Sequence, residues 1–314
     1  MKKVNTVLLI AIIVLLTVSA VFLAMLCMDK TGSSGDDTLK TSPSAENAEG
    51  TAEDSADPQN TDGQGNNGSE ATAGQSGSAS ENSTDAPRKE GTLEGITVCI
   101  DAGHQLQGNT EKESCAPWPA EQNINVNNET MKSKCTSGTT GAFTGIPEYI
   151  TVLEISKVIE TTLESLGAEV VMVRDDHDVN LSNIDRAQIG NNANADVTLR
   201  IHGNGSDNPS VSGIDLYVRG TGDGTSEYAA RSYNDYNLAC ELIDYLVEAT
   251  GAKKRNVTKT DSYTGINWLE VPCIIIECGF LSNETEDHNL NDPEYQQKIA
   301  DGIANWLLET TLIE

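Results

Sequence analysis

The sequence predicts an α/β fold with a largely parallel central sheet flanked by helices, a three-layer sandwich. Two observations carry this. From residue 94 to the C-terminus, short β-rich runs alternate with stretches of helical periodicity, the order that lays helices on a parallel sheet. One run, Pro272–Glu277, is almost wholly apolar, as a central strand covered on both faces should be. A third observation confines the fold to residues 94–314. Residues 29–93 hold no aromatic residue and are rich in Gly, Ser, Ala, Asn, Thr, Asp and Glu. Such a segment cannot bury enough apolar surface to offset its chain entropy.

The elements follow in order. Lys2 and Lys3 precede Val7–Leu26, where only Thr17 and Ser19 are polar. That length of helix spans roughly 30 Å, a bilayer core. Residues 1–28 therefore read as a membrane anchor with the rest of the chain outside, or as a signal segment cleaved after Val18-Ser19-Ala20 so that the protein is secreted. Residues 29–93 read as a disordered acidic linker with a root-mean-square span of about 45 Å. Ile96–Ile100 is the first strand. Pro147 opens an amphipathic helix that runs to Leu166, and Gly167 ends it. Glu169–Arg174 is a strand, and Ser182 caps a helix that reaches about Asn192. Strands follow at Val197–Ile201 and Ile214–Val218, then a helix over about Tyr236–Ala249. After the central strand, a last helix covers about Pro293–Glu309.

The net charge of −28 excludes a nucleic-acid-binding surface, which needs clustered Lys and Arg. Of seven cysteines, Cys99, Cys240, Cys273 and Cys278 sit in apolar stretches and read as packed thiols. Cys115 and Cys135 lie in a polar segment and are spaced so that a disulfide is open to them outside the cell. No CxxC pair supports a zinc ribbon.

Sites on open α/β sheets gather at the carboxyl ends of strands. His104 lies beyond the first strand, His202 directly after the third, and Glu277 ends the central one. Glu148 stands in the first turn of the first helix, where the dipole favours a carboxylate. Each residue alone also has a structural reading, a hydrogen-bonded histidine or a helix-stabilising glutamate. Glu277 is harder to read that way, because a carboxylate ending Ile274-Ile275-Ile276 risks costly burial. Two His and one Glu form the ligand set of a catalytic zinc with an open position, and a second Glu serves as general base. No HExxH is present.

The blocks VCIDAGHQ, PEYITVLEISKVIETTLESLGAEVVMVRDD, LSNIDRAQIGNNANADVTLRIHGN, GIDLYV and VPCIIIECGFLSNETED occur in one order. In that order they resemble the zinc-dependent N-acetylmuramoyl-L-alanine amidases of the amidase-3 type, bacterial cell-wall enzymes. The resemblance covers about residues 94–312. It implies that His104, Glu148 and His202 hold one Zn2+ and that Glu277 is the catalytic carboxylate. It implies peptidoglycan as substrate, cut between N-acetylmuramic acid and L-alanine. Arg174 and Arg186 match family positions and read as structural or site-bordering. Asn204 matches the Asn after the second His and shapes its loop.

Three departures from the family pattern stand out. Gln105 replaces a common Gly beside the metal. Arg200 replaces a small residue before Ile201-His202, where it reads as a solvated strand-end charge, with a substrate contact or a pairing with acidic surroundings as the alternatives. Residues 106–146 form an inserted loop, open to roles as lid, recognition loop or decoration. Two rivals remain at this stage: a zinc peptidase cutting within the stem peptide, and a wall-binding module without catalysis. The sequence places a membrane contact only at the anchor and names no protein activator.

Overall fold

The computed structural model describes residues 91–120 and 126–311. The expected anchor and nearly all of the expected linker lie outside the described residues. The elements are β1 (Thr97–Ala102), β2 (Asn109–Ser114), β3 (Met131–Cys135), α1 (Glu148–Ser165), β4 (Glu169–Met172), α2 (Asn183–Asn192) and β5 (Val197–Asn204). They continue with β6 (Ile214–Arg219), α3 (Ser226–Thr250), β7 (Lys254–Thr260), α4 (Thr264–Asn267), β8 (Cys273–Phe280), α5 (Glu284–Leu290) and α6 (Pro293–Glu309).

Six strands form one sheet in the order β4-β1-β5-β8-β6-β7. β4, β1, β5 and β8 are mutually parallel. β6 runs antiparallel to β8, and β7 runs parallel to β6. The predicted α/β class and largely parallel sheet are borne out.

The strands' period of two sorts each residue to a face. Val98, Ile100, Leu199, Ile201, Ile214, Leu216, Ile274 and Ile276 enter the main core with the apolar stripes of α1, α3 and α6. Cys99, Cys273 and Ile275 face the other way, among residues of α2 and α4. That second face also carries Asp101, Arg200, His202, Asp215 and Glu277, one residue out of phase with the main core. It is the polar side of the sheet, and its covering helices are short.

Helix ends follow local chemistry. Ser182 and Asp185 form a reciprocal capping box at α2. Asp292 caps α6, with Pro293 in the first turn. α3 begins at Ser226 under a Thr225 cap, well before the expected Tyr236, because its first turns are mostly polar. Strand β5 runs on through Asn204 and β8 through Phe280. His202 and Glu277 therefore lie inside strands, a correction to their expected places after or at strand ends.

The segment 106–146 is not a featureless loop. It contains the two-stranded β2–β3 sheet, with Asn109 paired to Cys135 at its neck and Ser114 to Met131 at the far end. The far end is docked. Asn267 Nδ2 donates to Cys115 O at 2.9 Å and Trp268 Nε1 to Ser114 O at 2.9 Å. Trp118 packs edge-on against Tyr228. Cys115 and Cys135 thus sit at opposite ends of the hairpin, roughly 20 Å apart at strand rise and beyond the reach of a bond between them. The disulfide left open by the sequence is not formed.

Candidate metal centre

β1 leads into a turn that two arginines hold from below. Arg174 donates from Nε to Ala102 O and from Nη2 to Gly103 O, both at 2.8 Å. Arg186 donates from Nη1 to Ala102 O at 3.0 Å and from Nη2 to His104 O at 2.7 Å. His104 takes a left-handed backbone with φ 58°. Such a conformation costs on the order of 1–3 kcal/mol in a non-glycine residue. Hydrogen bonds from a charged donor contribute about 1.5–3 kcal/mol each, so these four outweigh it. The sequence-based reading of Arg174 and Arg186 as site-bordering is what the geometry shows.

Beneath the turn, Asp101 lies between two guanidinium groups, 2.6 Å from Arg186 Nη1 and 2.8 Å from Arg200 Nε. Burial alone would raise this carboxyl, but the two arginines outweigh it and hold the group well below the usual carboxylate range. Arg200 also donates to Asn183 Oδ1 at 3.0 Å and is only 5% exposed. It is not a solvated strand-end charge but pairs with an acidic neighbour, one of the alternatives open in the sequence. A cation can occupy a buried strand because Asp101 neutralises it. Gln105 is likewise buried, accepting from Arg186 and from Leu181 N through Oε1. It shapes the turn from within. Asn204 accepts from Gly205 N at 2.8 Å through its side chain and from Leu281 N through its carbonyl, so it too shapes its loop.

Above this base, three ligand-type residues converge. Gly103 lets the turn lie against His202: a Cβ there would meet the imidazole at 2.3–2.6 Å. Glu148, at the start of α1, reaches the same point. Its Oε1 stands 3.1 Å from His104 Nε2 and 3.2 Å from His202 Nδ1. The backbone N–H of Gly203 donates to that oxygen at 3.1 Å, and Thr139 N–H donates to Oε2 at 2.9 Å. Burial would raise the Glu148 carboxyl, but the adjacent imidazoles hold it well below the usual range. One ligand atom from each residue lies within 4.8 Å of the others. Donors about 2.1 Å from a tetrahedral zinc stand about 3.4 Å apart, close to the two contacts seen. The donor set and its spacing fit a single metal ion.

Glu277 is the Cα partner of His202 on the neighbouring strand, so both side chains leave the same face. Its Oε2 is buried without a hydrogen-bond partner. Burial, then the charges of Glu148 and Asp215, raise its carboxyl well above the usual range. Asp215 faces it from β6 and is itself paired with Arg255 Nε at 2.6 Å. A carboxyl with a raised pKa beside a metal-binding cluster is suited to accepting and returning a proton.

The sequence reading did not single out Asp101, Thr136, Thr139 or Asp215. Asp101 stands within the VCIDAGHQ block, and its place before Gly103-His104 was the available signal. Thr139 acts through its backbone N–H and Thr136 through its carbonyl as well as its hydroxyl, and no residue pattern reports backbone contacts.

Two imidazoles and a carboxylate on one point, with a further carboxyl beside them on one face of an α/β sheet, are the donor set of a hydrolase site able to hold a metal ion. The model of the N-acetylmuramoyl-L-alanine amidase family matches residues 98–309, and the chain belongs to that family. It is 29% identical over 214 residues to the uncharacterized protein YqiI of Bacillus subtilis (strain 168), covering 68% of this chain and 84% of YqiI. It is 30% identical over 159 residues to N-acetylmuramoyl-L-alanine amidase LytC of the same organism, covering 51% of this chain but 30% of LytC. Among solved structures, the N-acetylmuramyl-L-alanine amidase Ami1 of Mycobacterium smegmatis superposes with a TM-score of 0.58 at 20% identity. That match covers 69% of this chain and 98% of Ami1, and it shows a shared fold.

Proposed function

We propose that the protein hydrolyses the amide between the lactyl group of N-acetylmuramic acid and L-alanine in peptidoglycan, with zinc held by His104, Glu148 and His202. The observation that carries this reading is the convergence of those three residues beside Glu277, within a chain of the amidase family. When bound, zinc supplies Lewis acidity that acidifies water and polarises a carbonyl. The chain's own residues do the rest. Glu148 presents Oε1 to both imidazoles because Gly203 and Thr139 hold its carboxylate by backbone N–H groups. Glu277 takes a proton from the attacking water as the C–O bond forms. It delivers that proton to the amide nitrogen as the C–N bond breaks, leaving a muramic acid carboxylate and a free L-alanine amine. Burial raises the Glu277 carboxyl above the usual carboxylate range, the direction that makes it a better proton acceptor.

Zinc is favoured over other ions because two imidazoles and one carboxylate with an open fourth position are its usual catalytic set. Digestion of purified peptidoglycan, read by mass spectrometry, tests the bond: stem peptides should be released with L-alanine at the amino terminus. Fragments cut within the stem would assign a peptidase instead. Residues 1–28 as anchor and 29–93 as linker would hold this domain, residues 94–314, outside the membrane, a reading that rests on the apolar run Val7–Leu26. Fractionation of cells expressing the full chain tests it.

A further inference from the structure

The inserted segment leaves the metal centre at His104 and returns to it. Its neck is closed by the Asn109–Cys135 pairing, and the next residue, Thr136, meets the His104 ring. Thr136 O lies 3.0 Å from His104 Nδ1, and Thr136 Oγ1 lies 3.1 Å from the same atom. A carbonyl oxygen can only accept, so Nδ1 donates to it and Nε2 is the nitrogen left to face a metal ion. Nε2 is the nitrogen that faces Glu148 Oε1 at 3.1 Å. Two residues on, Gly138 passes between the ligands with φ +79°. A Cβ there would stand 2.7 Å from Glu148 Oε2 and 2.8 Å from the His104 ring. Thr139 then donates its N–H to Glu148 Oε2 at 2.9 Å, and Glu148 N–H donates to Thr139 O at 2.9 Å.

The stretch is held from outside as well. Glu113 on β2 accepts from Asn183 N at 3.0 Å, and Asn183 Nδ2 donates to Lys134 O at 3.0 Å, which ties the hairpin to the start of α2. The far end is docked at Asn267 and Trp268.

We infer that Thr136 and Gly138 are positioning residues of the metal centre, so that the inserted segment sets the tautomer of His104 and the orientation of Glu148. This rests on the proposed metal site. A segment read from sequence as a lid or a decoration becomes a structural wall of the ligand set. Groups that orient metal ligands from behind change metal affinity by about 10–100-fold when altered.

The test uses the full chain and Co2+ alone as a spectroscopic probe, with affinity measured by chelator competition. The native chain should bind one cobalt with the absorption of a low-coordinate N/O site. Gly138→Ala should weaken binding about 10–100-fold and shift the spectrum. Thr136→Val, close in shape but without the hydroxyl, should weaken it by up to about tenfold, and Thr136→Ser should restore it. If Gly138→Ala does not fold, the Thr136 pair decides on folded protein. Native affinity and an unchanged spectrum in the folded variants would overturn the inference while leaving the metal site intact. Failure of the native chain to bind cobalt would overturn both.

Discussion

Glu277 and His202 are Cα partners on adjacent parallel strands, and they project from the one sheet face whose covering helices are short. This pairing sets the proposed proton-handling group beside the proposed metal ligand by backbone register, not by loop placement. Sites carried on strands are held more closely than sites on loops. A one-residue slip of β8 against β5 would turn Glu277 into the apolar core and bring Ile276 or Cys278 to the site.

The cluster predicts separate effects on metal and on rate. His104→Ala, His202→Ala and Glu148→Gln should each lose stoichiometric zinc, measured by elemental analysis of dialysed protein, with activity falling alongside. Retention of one zinc per chain by any of the three would remove that residue from the ligand set.

Asp101 predicts a pH-dependent stability. Asp101→Asn leaves Arg186 and Arg200 without a buried counter-charge and should cost about 3–5 kcal/mol near neutral pH. The folded carboxyl lies well below the usual range, so its contribution is fully present above the unfolded value of about 3.9. That contribution is lost as pH falls through the folded pKa. Thermal melts of the two proteins should therefore differ most above about pH 5 and converge progressively below about pH 4. A constant difference at all pH values would contradict this.

Trp118 predicts that the inserted hairpin is part of the folded unit. Its ring is buried and stacks edge-on with Tyr228. Trp118→Ala should destabilise the domain by about 3 kcal/mol or more in denaturant melts. A change below about 0.5 kcal/mol, the scale of ordinary surface substitutions, would mean that the segment hangs free.

The cysteines give a simpler check. Cys115 and Cys135 stand at opposite ends of the hairpin. Both should be alkylated in unfolded, unreduced protein, and a peptide map showing them linked would contradict the fold described.

Much of this was legible in the sequence, for physical reasons. α2 and α6 carry cap signals at Ser182 and Asp292-Pro293, so their starts could be read to the residue. His104, His202 and Glu277 could be placed near one another because they fall toward the carboxyl ends of their strands, and Glu148 joined them through the family resemblance. Other features carried no such signal. β2 and β7, NTEKES and KRNVTKT, are polar strands at a small sheet and a sheet edge, with no apolar alternation to reveal them. The reading of Arg200 as a solvated charge fails because its partner Asp101 is 99 positions away. Local pattern shows a charge in a strand, but not the counter-charge that buries it. Thr136 was missed because it meets His104 through its carbonyl as well as its hydroxyl, across a sequence gap of 32.

The most direct test of the central claim is the rate of Glu277→Gln on peptidoglycan, measured with its zinc content. The variant keeps the shape of the side chain and all three proposed ligands. It should hold one zinc per chain and release L-alanine-terminated stem peptides about 10²–10⁴-fold more slowly. Chelator should abolish the native rate, and zinc should restore it. Native turnover by Glu277→Gln with zinc bound would contradict the assignment of the proton-transfer role to this residue.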